Sequence, residues 1–350
     1  MTAGKPNNPA RQILRGLGIA LFHTGLASFV INLHAKRVRA LLYHAVESEP
    51  NDFTDGLNVS VTSEMFAANL DYFKRYYNVV EMKDIASGLL PNRPLVITFD
   101  DGYKSVYENA MPALVSRDMS ACIYLITRAV KGKIVWVNLL NYALLKHKSS
   151  TLEKLKAFDK LANCTDNSDI ISIVQHSFKP EEIEALCESL ADVLPESAAR
   201  KLYASESDIM DMQANGLEFG FHTRDHYNLR NCSARELDEQ LDVSGCQQVM
   251  NSTTFAYPFG YFNKRAVASL ESSAYDRVMT VGNNNDIYSY KHLDRTEVFS
   301  ASHAELFAQI EIVEPTIAWL RRWVLKRDID TVDGVVQQDN LPEASKNHAK

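Results

Sequence analysis

Cysteines at metal-binding spacing and net positive charge are missing from this 350-residue chain. The five cysteines (Cys122, Cys164, Cys187, Cys232, Cys246) are scattered, odd in number and nowhere spaced as CxxC. That argues against a disulfide framework or a cysteine zinc site, and a reducing compartment is the simpler expectation. The net charge of −7 gives no whole-chain attraction to nucleic acid, which is not expected as a partner. What remains is ordinary globular composition, 46% hydrophobic and 23% charged. The length suits one large α/β domain with additions, or two modest domains.

Charge is also absent locally. From Gly16 to Ala35 there is no Asp, Glu, Lys or Arg, and the run is rich in Leu, Ile, Phe and Ala. It is long enough to span a bilayer, yet it contains His23, Thr24, Ser28, Asn32, His34 and three glycines. Basic residues on both flanks (Arg11, Arg15; Lys36, Arg37, Arg39) leave orientation unsignalled, and no small-residue cleavage site follows. Residues 1–38 are expected to form an apolar helix against the protein or on a membrane surface, with a true span as the rival. The place of action expected from these features is cytoplasmic and membrane-associated.

Further on, short apolar runs alternate with helical patterns. Strands are expected at Arg39–Val46, Asn78–Met82, Leu95–Phe99, Ala121–Ile126, Leu217–Phe221, Thr254–Tyr257, Arg277–Val281 and Asp294–Val298. Amphipathic stretches such as Ser63–Tyr77 lie between them, which implies parallel βα units and a barrel more than an open sheet. No short internal repeat is visible. The catalytic barrel is assigned to residues 39–326. It includes a helical insertion at about 133–203 and a C-terminal helix at 303–326, bent at Pro315. The polar segment 327–350 is expected to be disordered.

Three stretches at strand ends carry the chemistry, because carboxyl ends of parallel strands hold active sites. In Thr98-Phe99-Asp100-Asp101-Gly102-Tyr103, two adjacent carboxylates repel, and a cation would relieve the cost of burying them. The alternative for this motif alone is a turn with helix N-capping. In Gly220-Phe221-His222-Thr223-Arg224-Asp225-His226, histidines at i and i+4 would share one face of a helical turn and reach one metal. The alternative is two ordinary histidines at a strand–helix junction. In Phe255-Ala256-Tyr257-Pro258-Phe259-Gly260, a Pro-containing turn can aim backbone N–H groups outward, although a plain β-turn has the same signature. Together they give one carboxylate and two imidazoles with open positions left over, the layout of a catalytic rather than a structural zinc site.

The order TFDDG, HTxxH, FAYPFG resembles the NodB-type polysaccharide deacetylases, carbohydrate esterase family 4, over roughly residues 39–300. Leu41-Leu-Tyr-His44 is similar to that family's first strand, and Leu293-Asp-Arg295-Thr-Glu-Val to a late strand carrying an arginine. The resemblance implies an α/β fold, a distorted (β/α) barrel with fewer than eight strands. It implies Asp100 as general base and Asp101, His222 and His226 as ligands of a divalent metal, zinc being the expected ion. The Phe259 N–H would hold the oxyanion, and Thr223 would orient the ligands. The implied substrate is an N-acetylated glycan: a polysaccharide, an oligosaccharide or a lipid-linked precursor. The alternatives are an O-deacetylase, another C–N amide hydrolase on the same scaffold, and a non-catalytic sugar-binding relative.

Three departures stand out. The arginine expected two residues before the proline of the third motif is Ala256, and Arg295 is the substitute. The late Leu-x-His motif that supplies a general acid is not evident, which leaves His44 and His292 as donors, His292 having more the look of a structural histidine. The gap between Asp101 and His222 is unusually long, and the insertion in it is expected to shape substrate access or a membrane or partner contact.

Overall fold

The computed structural model describes residues 9–88, 90–195, 197–281 and 291–320. Its strands are β1 (Arg39–Tyr43), β2 (Ala45–Glu47), β3 (Ser60–Thr62), β4 (Asn78–Val79), β5 (Pro94–Phe99), β6 (Cys122–Leu125), β7 (Glu218–Phe221), β8 (Thr254–Ala256), β9 (Arg277–Val281) and β10 (His292–Glu297). β5, β6, β7, β8, β9, β10 and β1 run parallel in that order, and β1 pairs back onto β5 to close the ring. The result is a seven-stranded parallel barrel wrapped in helices, a distorted (β/α) barrel. Closure leaves it no open edge. Strands buried on both faces explain why β1, β5 and β6 read as continuous apolar runs rather than alternating ones.

Side chains alternate across each strand. Register pairs Ala40 with Val96 and Arg295, and Leu42 with Thr98 and Glu297. The lower interior is filled by Ala40, Val96, Cys122, Tyr124, Ala256 and Met279. Counting upward by twos from Val96 and Ala40, and from Leu293 packed against this layer, reaches Asp100, His44 and Arg295, so the strand period lifts polar groups towards the carboxyl ends. Below, Glu218 closes the barrel floor: its carboxylate accepts the N–H groups of Met82 (2.5 Å) and Lys83 (3.0 Å) at the start of the helix Met82–Ser87.

Some expectations need revising. The first strand run breaks at His44, and β2 leaves the barrel to pair with β3. The Asn78–Met82 run is a strand only over Asn78–Val79, because Met82 opens a helix. The N-terminal helix is two: α1 (Pro9–His23) and α2 (Ala27–Leu33), bent by 114° at a break containing Gly25, whose φ is +80°. The C-terminal helix runs from His303 through Leu320, with a π-helical stretch at Ala308–Val313 just ahead of Pro315. The wider coil makes room for a proline ring that would clash in a regular α-helix. Residues 1–8 and 321–326, and the tail assigned to 327–350, lie outside the described residues. The segment 133–203 holds the helices Trp136–Lys146, Lys148–Leu155, Asn167–Ser177, Pro180–Leu190 and Ala198–Leu202.

Candidate active site

Asp100 and Asp101 sit at the carboxyl end of β5, where the chain turns sharply. Asp101 and Gly102 both take left-handed backbone conformations, φ +74° and +75°. The turn sends two successive carboxylates into one cavity, and both are buried. A side chain at residue 102 would be strained by that φ and would also meet Leu125 at 2.9 Å.

The second motif departs from expectation. Residues 222–226 do not form a helical turn: Thr223 and His226 have φ of +68° and +61°. Positive φ at a β-branched residue is strained, and the local bonds hold it. The Thr223 hydroxyl accepts the His226 N–H (3.0 Å). Asp225 is fixed by Arg128 (2.9 Å) and Gln240 (2.8 Å). The indole N–H of Trp136 donates to the His226 carbonyl (2.9 Å). Trp136 begins the first helix of the insertion, so the extra segment braces the site directly.

The loop still brings both rings to one point. Nε2 of His222 and His226 are 3.2 Å apart, and they lie 3.5 and 3.3 Å from Oδ1 of Asp101. The His222 Nδ1 faces the Ala256 carbonyl at 2.7 Å, which requires the proton on Nδ1 and leaves a lone pair on Nε2. Burial pushes both imidazoles below their ordinary value; Asp100 opposes this at His222, and His222 reinforces it at His226. Both are therefore neutral. Asp101 Oδ1 is buried and accepts no hydrogen bond. One carboxylate oxygen and two imidazole nitrogens thus converge in a buried cluster of the kind that could hold a metal ion. Tetrahedral ligands at about 2.0–2.1 Å stand roughly 3.3 Å apart, which matches this triangle and fits zinc.

Asp100 faces the same point, with Oδ2 at 3.6 Å from His222 Nε2. Arg295, fully buried, grips it from β10: Nη1 to Oδ1 at 2.6 Å and Nη2 to Oδ2 at 2.8 Å. Nη1 also reaches the Thr98 hydroxyl at 3.1 Å. Burial raises the Asp100 pKa, but the Arg295 charge, then His222 and the Arg295 hydrogen bonds, more than offset this and hold it below the usual carboxylate range. Asp101 goes the other way. Burial and then the charge of Asp100 push it up to about 7. Two adjacent aspartates are thus driven apart in acidity by what stands next to each.

Phe259 lies in the Pro258–Gly260 turn with φ +57°. The turn's hydrogen bonds run from Gly260 N to Tyr257 O and from Tyr261 N to Pro258 O, and neither uses the Phe259 N–H. Its ring packs against His226, centroids 4.4 Å apart. His44 lines the cleft together with Asp100, Asp101, His222, His226 and Phe259. Burial pushes His44 down to about 3 against the opposing charge of Asp100, so it stands neutral at pH 7. His292 is elsewhere, at the start of β10, packed between Tyr257 and Phe262 with its Nε2 3.3 Å from the Tyr257 hydroxyl. It does not line the cleft.

Other residues of the site had no assigned role. Glu297, two residues beyond Arg295 on β10, reaches the cleft wall, as do Tyr103, the last residue of the first motif, and Val137. Tyr124 lies under Arg295, whose guanidinium is 5.3 Å from the ring centre. Gly220 makes room for that ring, because a Cβ there would stand 2.7 Å from Tyr124 and 2.8 Å from the Thr254 carbonyl. Period-two counting back from His222 would have found Gly220, and counting on from Arg295 would have found Glu297; Trp136 left no such trace.

The polysaccharide deacetylase family model matches residues 88–278, more than half of the chain. Among solved structures, the fold is similar to the Streptococcus pyogenes deacetylase PplD in complex with acetate (TM-score 0.51, 18% identity, covering 78% of this chain and 98% of that one). It is also similar to IcaB from Ammonifex degensii (TM-score 0.50, 19% identity, 78% and 97% covered). No curated protein matches. With the three motifs on the strand ends where a barrel hydrolase keeps its chemistry, the chain belongs to the polysaccharide deacetylase family, of NodB type, and is a hydrolase that deacetylates sugars.

Proposed function

We propose that the protein removes N-acetyl groups from a sugar by metal-dependent hydrolysis. The observation that carries this reading is the pairing of a base held ionised, Asp100 on Arg295, with the buried Asp101–His222–His226 triangle beside it. A divalent cation held by those three residues, zinc being the best fit, supplies Lewis-acid polarisation of the acetyl carbonyl and a more acidic water.

The chain's own groups do the rest. Asp100 takes the proton from the attacking water, and its low pKa keeps it in the accepting form. The Phe259 N–H, which the turn leaves out of its own bonding, donates to the carbonyl oxygen as charge builds there. The leaving nitrogen must gain a proton, since an amide anion is too basic to depart. His44 is neutral in the resting cleft and has no proton of its own to give from that state. It serves as a relay, passing on the proton captured at Asp100, which lines the same cleft.

The test is incubation of the purified protein with N-acetylated oligosaccharides and their lipid-linked forms, measuring acetate and free amine together. Equal amounts of both support N-deacetylation. Acetate without amine would make it an O-deacetylase, and neither product would leave a sugar-binding relative.

A further inference from the structure

We infer that the flank formed by α1, α2 and the end of the C-terminal helix is a docking face for an anionic lipid surface, on which the protein lies without crossing the bilayer. This does not rest on the proposed reaction.

Large apolar side chains that face solvent are concentrated there. Of eleven among the described residues, seven are on this flank: Ile13, Leu17, Leu26, Phe29, Leu33, Trp319 and Leu320. Ile13 with Leu17 and Phe29 with Leu33 are i, i+4 pairs, one stripe on each helix, and each is about 60% exposed or more. The same helices use their other faces to grip the protein. Gly18 is packed so closely on Ala308 that a Cβ would stand 2.6 Å from it. Phe22 meets Phe307 and Tyr76, and Ala27 and Ile31 are buried. Arg11 pairs with Glu314 (2.6 Å) and Arg15 with Glu305 (2.5 Å). Helices that are apolar on both sides have one side left to cover.

Charge selects the occupant. The first acidic residue in the sequence is Glu47, while Lys5, Arg11, Arg15, Lys36, Arg37 and Arg39 precede it, in a chain whose net charge is −7. The acidic residues that the C-terminal helix brings here, Glu305, Glu311 and Glu314, are each tied to an arginine of the N-terminal segment. A basic, apolar and Trp-bearing surface matches anionic headgroups over an acyl boundary. No single described helix is long and apolar enough to cross a membrane, and the α1–α2 pair is bent by 114° and bonded to the barrel's own helix.

The experiment is co-sedimentation of the full chain with vesicles of phosphatidylcholine, with and without phosphatidylglycerol, at low and high salt. The expected result is binding to the anionic vesicles, weakened by salt and by neutral lipid. Phe29→Glu with Leu33→Glu should lower it at least about tenfold, with the circular dichroism spectrum unchanged. Met210→Glu, at an exposed apolar residue off this flank, should leave it unchanged. Equal binding to both vesicle types, no binding, or a double variant that binds like the parent would overturn the inference. So would a solution dimer, seen by light scattering, that the double variant dissolves, since the face would then belong to a second copy.

Discussion

Arg295 holds both oxygens of Asp100 in a planar fork from a strand nearly two hundred residues downstream, and no water or lysine could reproduce that grip. The pair fixes the orientation of Asp100 and holds it in the ionised form.

Arg295→Lys should therefore cost about 10²–10³ in kcat, with little change in KM. The sign of its pH effect follows from the pair. Arg295 depresses Asp100, and the ionised form is the base. Weakening the pair raises that pKa, so the acidic limb of the rate profile should move to higher pH. A variant that is merely unstable would lose rate without moving the limb.

Asp100→Asn keeps the shape and removes the proton acceptor. Metal content should stay at that of the parent, while turnover falls by about 10²–10⁴. A variant within a few-fold of the parent rate would place the base at another residue.

The purified protein should hold one divalent ion per chain, and the His222→Ala, His226→Ala double variant should hold none. Elemental analysis of both after gel filtration decides it. Equal content would mean that the triangle is not the metal site.

How far the sequence reached can be judged from these residues. Strand ends were legible because β5 and β7 are short apolar runs that stop at polar motifs and β8 stops at a Pro-Phe-Gly turn, and the register then follows from alternation. Arg295 was a candidate because a late barrel strand could deliver it beside Asp100, and β10 does bring the two into contact. The conformation of residues 222–226 was not legible. His-x3-His spacing fits a helix, and the left-handed Thr223 and His226 depend on bonds to Trp136, Gln240 and Arg128, which are distant in sequence. The break at Gly25 was hidden inside an uncharged run in which His23, Thr24 and Gly25 read as isolated polar or small residues of one helix.

Trp136→Phe removes one N–H from the His226 carbonyl and keeps most of the packing against Phe259. The expected outcome is a metal affinity about tenfold weaker and a stability loss of about 1 kcal/mol. Unchanged affinity by chelator competition would mean that the insertion does not brace the site.

Metal affinity should itself depend on pH, through Asp101. A ligand must be deprotonated to bind, and in the metal-free site burial and Asp100 hold the Asp101 proton up to about 7. His222 and His226 are pushed the other way and stay neutral through this range. Below about pH 7, binding must expel one proton, and the apparent affinity should fall by up to about tenfold per unit of pH. Above it, the affinity should level off. Asp101→Asn has no proton to lose there, so its binding should be weaker and nearly flat between pH 6 and 8, roughly the window of the Asp101 titration. Zinc titration against a competing chelator at several pH values reads both slopes. A parent protein with no slope below pH 7, or a variant that keeps the parent's slope, would show that Asp101 is not the ligand whose proton the metal displaces.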